Sequence, residues 1–244
     1  AAIEDFMRPD RIVVGTNNFT FPRPGNPMDS AESPRRYFVY ALEGNGTFMP
    51  GWPVIVDSNV GSSPAVGDLD GDGYYDIVVG TGNFREGSAI RLGGHQVYAW
   101  NRFGQALPGW PQATAGNMEQ APAIGDVTGD GKPEVVIGCS DIQENRNCSM
   151  LYAWRANGTS LPNFPINYQQ FNLPAFSRWV GPTIADTDGN GVAEILVNAN
   201  YQMLTLTGNG VVDPSRSRYV QGFYFQGTTT LDQDGDGKLE TIAF

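Results

Sequence analysis

Apolar residues along this chain come in short runs of three to five, bounded by polar residues, glycine or proline. Ile77-Val78-Val79, Val135-Val136-Ile137 and Ile195-Leu196-Val197 are continuous and rich in β-branched residues, as strands buried on both faces are. Phe38-Val39-Tyr40-Ala41-Leu42, Val97-Tyr98-Ala99-Trp100 and Leu151-Tyr152-Ala153-Trp154 are aromatic-rich runs that lead into Pro50-Gly51-Trp52-Pro53, Pro108-Gly109-Trp110-Pro111 and Pro162-Asn163-Phe164-Pro165. The turns between them hold Gly44-Asn45-Gly46, Gly104 and Asn157-Gly158, which are hairpin signals. No stretch sustains apolar residues at i, i+3, i+4 and i+7, so the pattern predicts short strands and essentially no α-helix.

These elements repeat. Ser63-Pro64-Ala65-Val66-Gly67-Asp68 returns as Ala121-Pro122-Ala123-Ile124-Gly125-Asp126 and as Gly181-Pro182-Thr183-Ile184-Ala185-Asp186, and Thr229-Thr230-Leu231-Asp232 opens a fourth copy. The first acids are spaced by 58, 60 and 46 residues. Ile12-Val13-Val14-Gly15-Thr16 matches Ile77-Val78-Val79-Gly80-Thr81, so a degenerate copy opens the chain with its acids lost. Units near 1–57, 58–115, 116–175, 176–225 and 226–244 each hold up to four strands. That is the size of one β-propeller blade. The expected fold is an all-β propeller of four-stranded antiparallel blades, about four to four and a half of them, either as an unusually small propeller or as part of a larger one.

Composition sharpens this picture where charge is concerned. The 244 residues carry a formal charge of −11, with 31 glycines and 17 prolines. Fourteen of the 26 acidic residues and both lysines lie in the four windows 68–76, 126–134, 186–194 and 232–240, and the rest of the chain is near neutral. No basic stripe exists for nucleic acid. No apolar run approaches the roughly 20 residues that span a bilayer, so no membrane insertion is expected. The first residues, Ala1-Ala2-Ile3-Glu4-Asp5, have neither a basic head nor an apolar run, so no signal peptide is expected among them, as in a secreted protein after cleavage.

The acidic windows carry the chemistry. Asp68, Asp70, Asp72 and Asp76 occupy positions 1, 3, 5 and 9 of a loop, with Tyr74 offering a carbonyl at position 7. The same plan gives Asp126, Thr128, Asp130, Lys132 and Glu134; then Asp186, Asp188, Asn190, Val192 and Glu194; then Asp232, Asp234, Asp236, Lys238 and Glu240. Calcium takes six to eight hard oxygen ligands, and alternate oxygens along a coiled loop supply them. Glycines at positions 4 and 6 supply the positive φ that such coiling requires. No histidine or cysteine falls in these loops, which argues against zinc and copper. An EF-hand needs an acid at position 12, but that position holds Val79, Ile137, Val197 and Ala243. Up to four calcium ions are therefore expected.

The loops of form D-x-[DNT]-x-[DN]-G-x-x-[DE], the prolines Pro64, Pro122 and Pro182, the Val60-Gly61 and Val180-Gly181 starts and the Ile-Val-Val-Gly strand together resemble the FG-GAP (VCBS-like) calcium-binding repeat of integrin α-subunit propellers and many bacterial extracellular proteins. The resemblance implies a β-propeller with calcium in loops that link neighbouring strands of a blade. It also implies an extracellular, cell-surface or periplasmic setting and adhesion to a protein or glycan partner. No residues of an integrin ligand site can be matched. The expected function is a calcium-stabilised interaction module without catalytic activity. The alternatives are a lectin-like propeller and a polysaccharide-active enzyme, the latter lacking any paired carboxylates among Glu86, Glu119 and Glu144.

Cys139 and Cys148 flank a polar stretch that a hairpin would fold back, placing a disulfide within reach. Sequons occur at Asn18, Asn45, Asn147 and Asn157. Trp52, Trp100, Trp110 and Trp154 follow the strand repeat and are expected to pack between blades. Asn167–Trp179 is a polar and aromatic insertion that reads as an ordinary packed loop or, as the best candidate in the chain, a recognition surface.

The loops at 68–76 and 232–240 each offer four carboxylates, and the other two offer three. Affinity follows ligand charge. Asp70→Ala is therefore expected to cost more calcium affinity than Thr128→Ala in titration calorimetry. Equal losses would show that loop shape rather than charge sets affinity.

Overall fold

The computed structural model describes residues 12–15, 37–82, 95–118, 120–139, 150–167, 181–199, 202–219, 228–235 and 239–243. Among them lie seventeen strands and no helix. β1 (Ile12–Gly15), β2 (Tyr37–Leu42) and β3 (Val54–Val56) form a three-stranded sheet. Three four-stranded sheets follow in chain order. The first is β4 (Ala65–Gly67), β5 (Asp76–Gly80), β6 (Gln96–Trp100) and β7 (Gln112–Ala113). The second is β8 (Ala123–Gly125), β9 (Glu134–Gly138), β10 (Met150–Arg155) and β11 (Ile166–Asn167). The third is β12 (Thr183–Ala185), β13 (Glu194–Ala199), β14 (Gln202–Leu206) and β15 (Arg218–Tyr219). β16 (Thr228–Leu231) and β17 (Glu240–Ala243) make a final pair.

Every pairing in these sheets is antiparallel between consecutive strands. This is the meander of a propeller blade. The first strands lie side by side, β4 against β8, β8 against β12 and β12 against β16, so the sheets succeed one another as blades. Among the described residues the succession is open and does not close into a ring.

The continuous apolar runs follow from this stacking. In β5, Ile77 and Val79 pack back against Val39, Ala41, Trp52 and Val56 of the preceding sheet. Val78, pointing the other way, joins Val135, Ile137, Tyr152 and Trp154 of the next. In β9, Val136 turns forward to Ile195, Val197 and Leu206. A middle strand thus has no solvent face and needs no polar alternation.

The Pro-Gly-Trp-Pro turns tie blades together. Trp52 Nε1 donates to the Arg102 carbonyl at 3.0 Å, and Trp110 Nε1 donates to the Ala156 carbonyl at 2.7 Å. Each indole meets a tryptophan of the following blade edge-on, Trp52 with Trp100 and Trp110 with Trp154. In the third copy Phe164 has no donor; Asn163, at φ 66°, reaches Asn209 instead, its Nδ2 donating to that carbonyl at 3.0 Å. All four of these tryptophans are buried, as their place in the repeat predicts. Trp179, Cys148 and residues 168–179 of the insertion lie outside the described residues; Cys139 is buried.

Gly109 combines positive φ with contact between blades: at φ 83°, a Cβ there would collide with the Asn157 carbonyl. Gly46 has a similar φ of 85° but open space around it. Gly46→Ala is expected to cost about 1–2 kcal/mol, the penalty of a left-handed alanine. Gly109→Ala should cost roughly 1–3 kcal/mol more, because backbone must move. Urea unfolding of both variants measures the difference, and equal losses would contradict the close approach.

Candidate metal centres

Each acidic loop links the first and second strands of its sheet: 68–76 joins β4 to β5, 126–134 joins β8 to β9, 186–194 joins β12 to β13, and 232–240 joins β16 to β17. The position-9 acids Asp76, Glu134, Glu194 and Glu240 are the first residues of the second strands. They are anchored in the blade, and the loop coils in front of them.

One hydrogen-bond scheme recurs. The position-1 carboxylate caps the coil. Asp68 accepts from Gly71 N at 2.9 Å and from Gly73 N at 3.0 Å, and Asp126 accepts from Gly129 N and Gly131 N, both at 2.7 Å. Asp186 accepts from Gly189 N and Gly191 N, both at 2.8 Å, and Asp232 from Gly235 N at 2.6 Å. All seven of these glycines have positive φ, for example 78° at Gly71 and 86° at Gly73. The position-9 carboxylate closes the loop by accepting the N–H of position 2: Leu69 on Asp76, Val127 on Glu134, Thr187 on Glu194 and Gln233 on Glu240. Tyr74, Lys132 and Val192, at position 7, donate their N–H to the position-5 side chains Asp72, Asp130 and Asn190.

The result is a convergence of oxygens. Asp68, Asp70 and Asp76 each present an oxygen within 4.8 Å of the others, as do Asp186, Asp188 and Glu194, and Asp232, Asp234 and Glu240. Positions 1, 3 and 9 therefore meet in these loops, and in the first of them Asp72 at position 5 is not one of the converging three. In the loop at 126–134 Thr128 replaces the third acid, and its hydroxyl donates to Glu134 Oε1 at 3.2 Å. Asp236 and Lys238 lie outside the described residues.

Such sites are electrostatically costly. Asp76 is almost wholly buried, and its carboxyl is pushed up to about 7, first by burial and further by the charges of Asp70 and Asp72, against the pull of the Leu69 N–H. Burial likewise raises Glu134. Asp186 is held low by the glycine N–H groups it caps, that of Gly191 foremost. The donors are all hard oxygens. Oxygens bound to one calcium ion lie at most about 4.6–5.2 Å apart, and the oxygens of these trios fall within that limit.

Two residues of these loops' surroundings went unread in the sequence. Arg155 Nη1 lies 2.7 Å from Asp130 Oδ2 and 3.4 Å from Glu134 Oε1. Arg216 places Nη2 2.7 Å from Asp188 Oδ2 and Nη1 3.1 Å from Glu194 Oε2, while its Nε binds Asp213 Oδ2 at 2.7 Å. The hydrogen bond from Arg155 lowers the Asp130 carboxyl. The one sequence signal is Trp154-Arg155 where the earlier repeat has Trp100-Asn101.

A family model described as FG-GAP-like repeat matches residues 9–79 and 126–197, and one described as FG-GAP repeat matches residues 60–99. Among solved structures the chain is similar to BBS1N in complex with ARL6DN, with a TM-score of 0.54 and 12% identity over 85% of this chain and 56% of that one. It is similar to Bacillus licheniformis rhamnogalacturonan lyase PL11, with a TM-score of 0.48 and 18% identity over 85% of this chain and 47% of that one. It is also similar to the V. cholerae biofilm matrix protein Bap1, with a TM-score of 0.38 and 17% identity over 90% and 41%. The chain spans about half the length of these solved chains. The first likeness is one of fold.

The hydrogen bonds separate two roles within a loop. Asp68 caps two backbone N–H groups, whereas Asp70 is exposed and, among the described residues, accepts from Asp72 N alone. With chelator present, Asp68→Asn is expected to lower stability by about 1–3 kcal/mol, since an amide replaces one accepting oxygen. Asp70→Asn should leave it unchanged or raised, because it relieves repulsion. Urea denaturation in chelator checks this, and equal losses would contradict the division.

Proposed function

The chain belongs to the FG-GAP-like repeat family, and on that footing we propose that it is a calcium-stabilised interaction module that acts outside the cell and carries no catalytic chemistry. The observation that carries this reading is the same trio of carboxylate oxygens at positions 1, 3 and 9 in three loops. Three like charges within 4.8 Å repel one another unless a cation sits among them. Oxygen-only donors on a coiled, glycine-hinged loop suit calcium, and magnesium demands a stricter octahedron and keeps more of its water.

The setting and the partner rest on coarser support. FG-GAP repeats typically occur in extracellular proteins, and among the described residues no helix is long and apolar enough to cross a membrane. A non-catalytic role is favoured by what the acids are engaged in. Those of the loops form cation cages, Asp57 accepts from the Thr81 hydroxyl, and Asp213 from Ser215 and Arg216. Glu86, Glu119 and Glu144 lie outside the described residues. The partner is a protein or a glycan. Burial of Trp52, Trp100, Trp110 and Trp154 takes them away from sugar stacking and weighs toward protein.

A ligand that binds only the folded chain adds about 2.7 kcal/mol per site at a hundredfold excess over its Kd. Calcium is expected to raise the melting temperature of the full chain, excess chelator to lower it, and magnesium at equal concentration to do much less. An identical melting curve in calcium and in chelator would overturn the calcium reading.

A further inference from the structure

The acidic loops share one backbone scheme but differ in what neutralises them. At 126–134 the guanidinium of Arg155 touches the carboxylates at positions 5 and 9, and at 186–194 that of Arg216 touches those at positions 3 and 9. The two arginines arrive by different routes. Arg155 ends β10, in register opposite Glu134. Arg216 comes from the turn before β15, braced by Asp213. Both nonetheless reach the buried position-9 acid. At 68–76 the register that pairs Ile77 with Trp100 places Asn101 opposite Asp76. The adjacent Arg102 lies over the Tyr74 ring, 3.4 Å from its centroid. Among the described residues no basic side chain makes an ion pair with Asp68, Asp70, Asp72 or Asp76.

We propose that Arg155 and Arg216 are internal counter-ions that compete with calcium for the loops at 126–134 and 186–194, so that the loop at 68–76 is the high-affinity site and the other two are weak ones. This rests on the calcium reading above. A guanidinium within 3.5 Å of a position-9 oxygen holds one of its lone pairs. An ion bound to that same oxygen at about 2.3–2.6 Å would stand close to the fixed positive charge and be repelled by it. To bind, calcium must displace the arginine. The loops with an arginine are also those with a neutral residue, Thr128 at position 3 and Asn190 at position 5. Fewer ligand charges and a built-in cation both lower calcium affinity. The two loops also touch, Ala193 N donating to the Asp126 carbonyl at 3.3 Å, so neutralising both by protein charge limits repulsion between neighbours. These blades thereby stay folded when calcium falls, and of these three loops it is the one at 68–76 that carries the strong dependence.

The test is calcium titration calorimetry and thermal unfolding on the full chain, stripped with chelator, for wild type, Arg155→Gln, Arg216→Gln and Arg155→Lys. Arg218→Gln is the control, since Arg218 donates to the Ser215 and Ser217 carbonyls. Each glutamine variant is expected to strengthen one weak site at least tenfold and to lower the melting temperature in chelator. Arg155→Lys keeps the charge and should keep the site weak, and the control should match wild type. If wild type binds calcium and the glutamine variants give superimposable isotherms, the competition is overturned while the calcium reading stands. If no variant and no wild-type sample binds calcium, the calcium reading itself falls, and this proposal with it.

Discussion

Like charges gathered at short range are the constraint to which the rest of this structure answers. Carboxylates at positions 1, 3 and 9 of a loop are brought within 4.8 Å of one another, and one of them is buried at the root of a strand. Left to itself, such a group would spread apart. It is held by glycines that coil the backbone, by backbone N–H groups that cap position 1, and by the N–H of position 2 on position 9. These hydrogen bonds orient the oxygens but do not cancel their charge. Cancellation needs a cation: Arg155 and Arg216 bring one to two of the loops, and the proposed calcium would bring one to the others.

The blade makes that constraint matter beyond the loop. Position 9 opens the second strand of each sheet, and in β5 and β9 that strand packs against the sheets before and after it. An unfavourable charge at Asp76 or Glu134 therefore bears on the most deeply packed strands rather than on a free surface turn. The Trp52 and Trp110 indoles and the Asn163 amide link successive blades by hydrogen bonds to carbonyls. Stability gained at one loop is thus transmitted through a stack of sheets, as in repeat proteins whose units depend on their neighbours.

Much of this was legible in the sequence because it is local. The runs at 77–79, 135–137 and 195–197 gave their strands directly, since continuous β-branched sequence suits a sheet covered on both faces. The acids that converge in each loop were legible because their spacing is set within nine residues. What was not legible depends on register and on contacts between distant elements. Nothing in the sequence told that Arg155 faces Glu134, or that Arg216 crosses from a later turn to Asp188. Position 5 illustrates the same limit. Its acids have the spacing of ligands, and only the folded chain shows that Asp130 also meets Arg155 and that Asp72 accepts the Tyr74 N–H. Asn163, which stands where the other copies have glycine, is understood only once the neighbouring blade supplies the Asn209 carbonyl.

The most direct test counts the ions. The full chain is stripped with chelator, dialysed to equilibrium against calcium, and its bound metal measured by atomic emission. It is compared with a variant carrying Asp70→Asn, Asp188→Asn and Asp234→Asn together. Wild type is expected to retain several calcium ions per chain and the triple variant to lose most of them while keeping its β-sheet spectrum. Equal calcium in the two proteins, or none in either, would contradict the assignment of these loops as the cation sites.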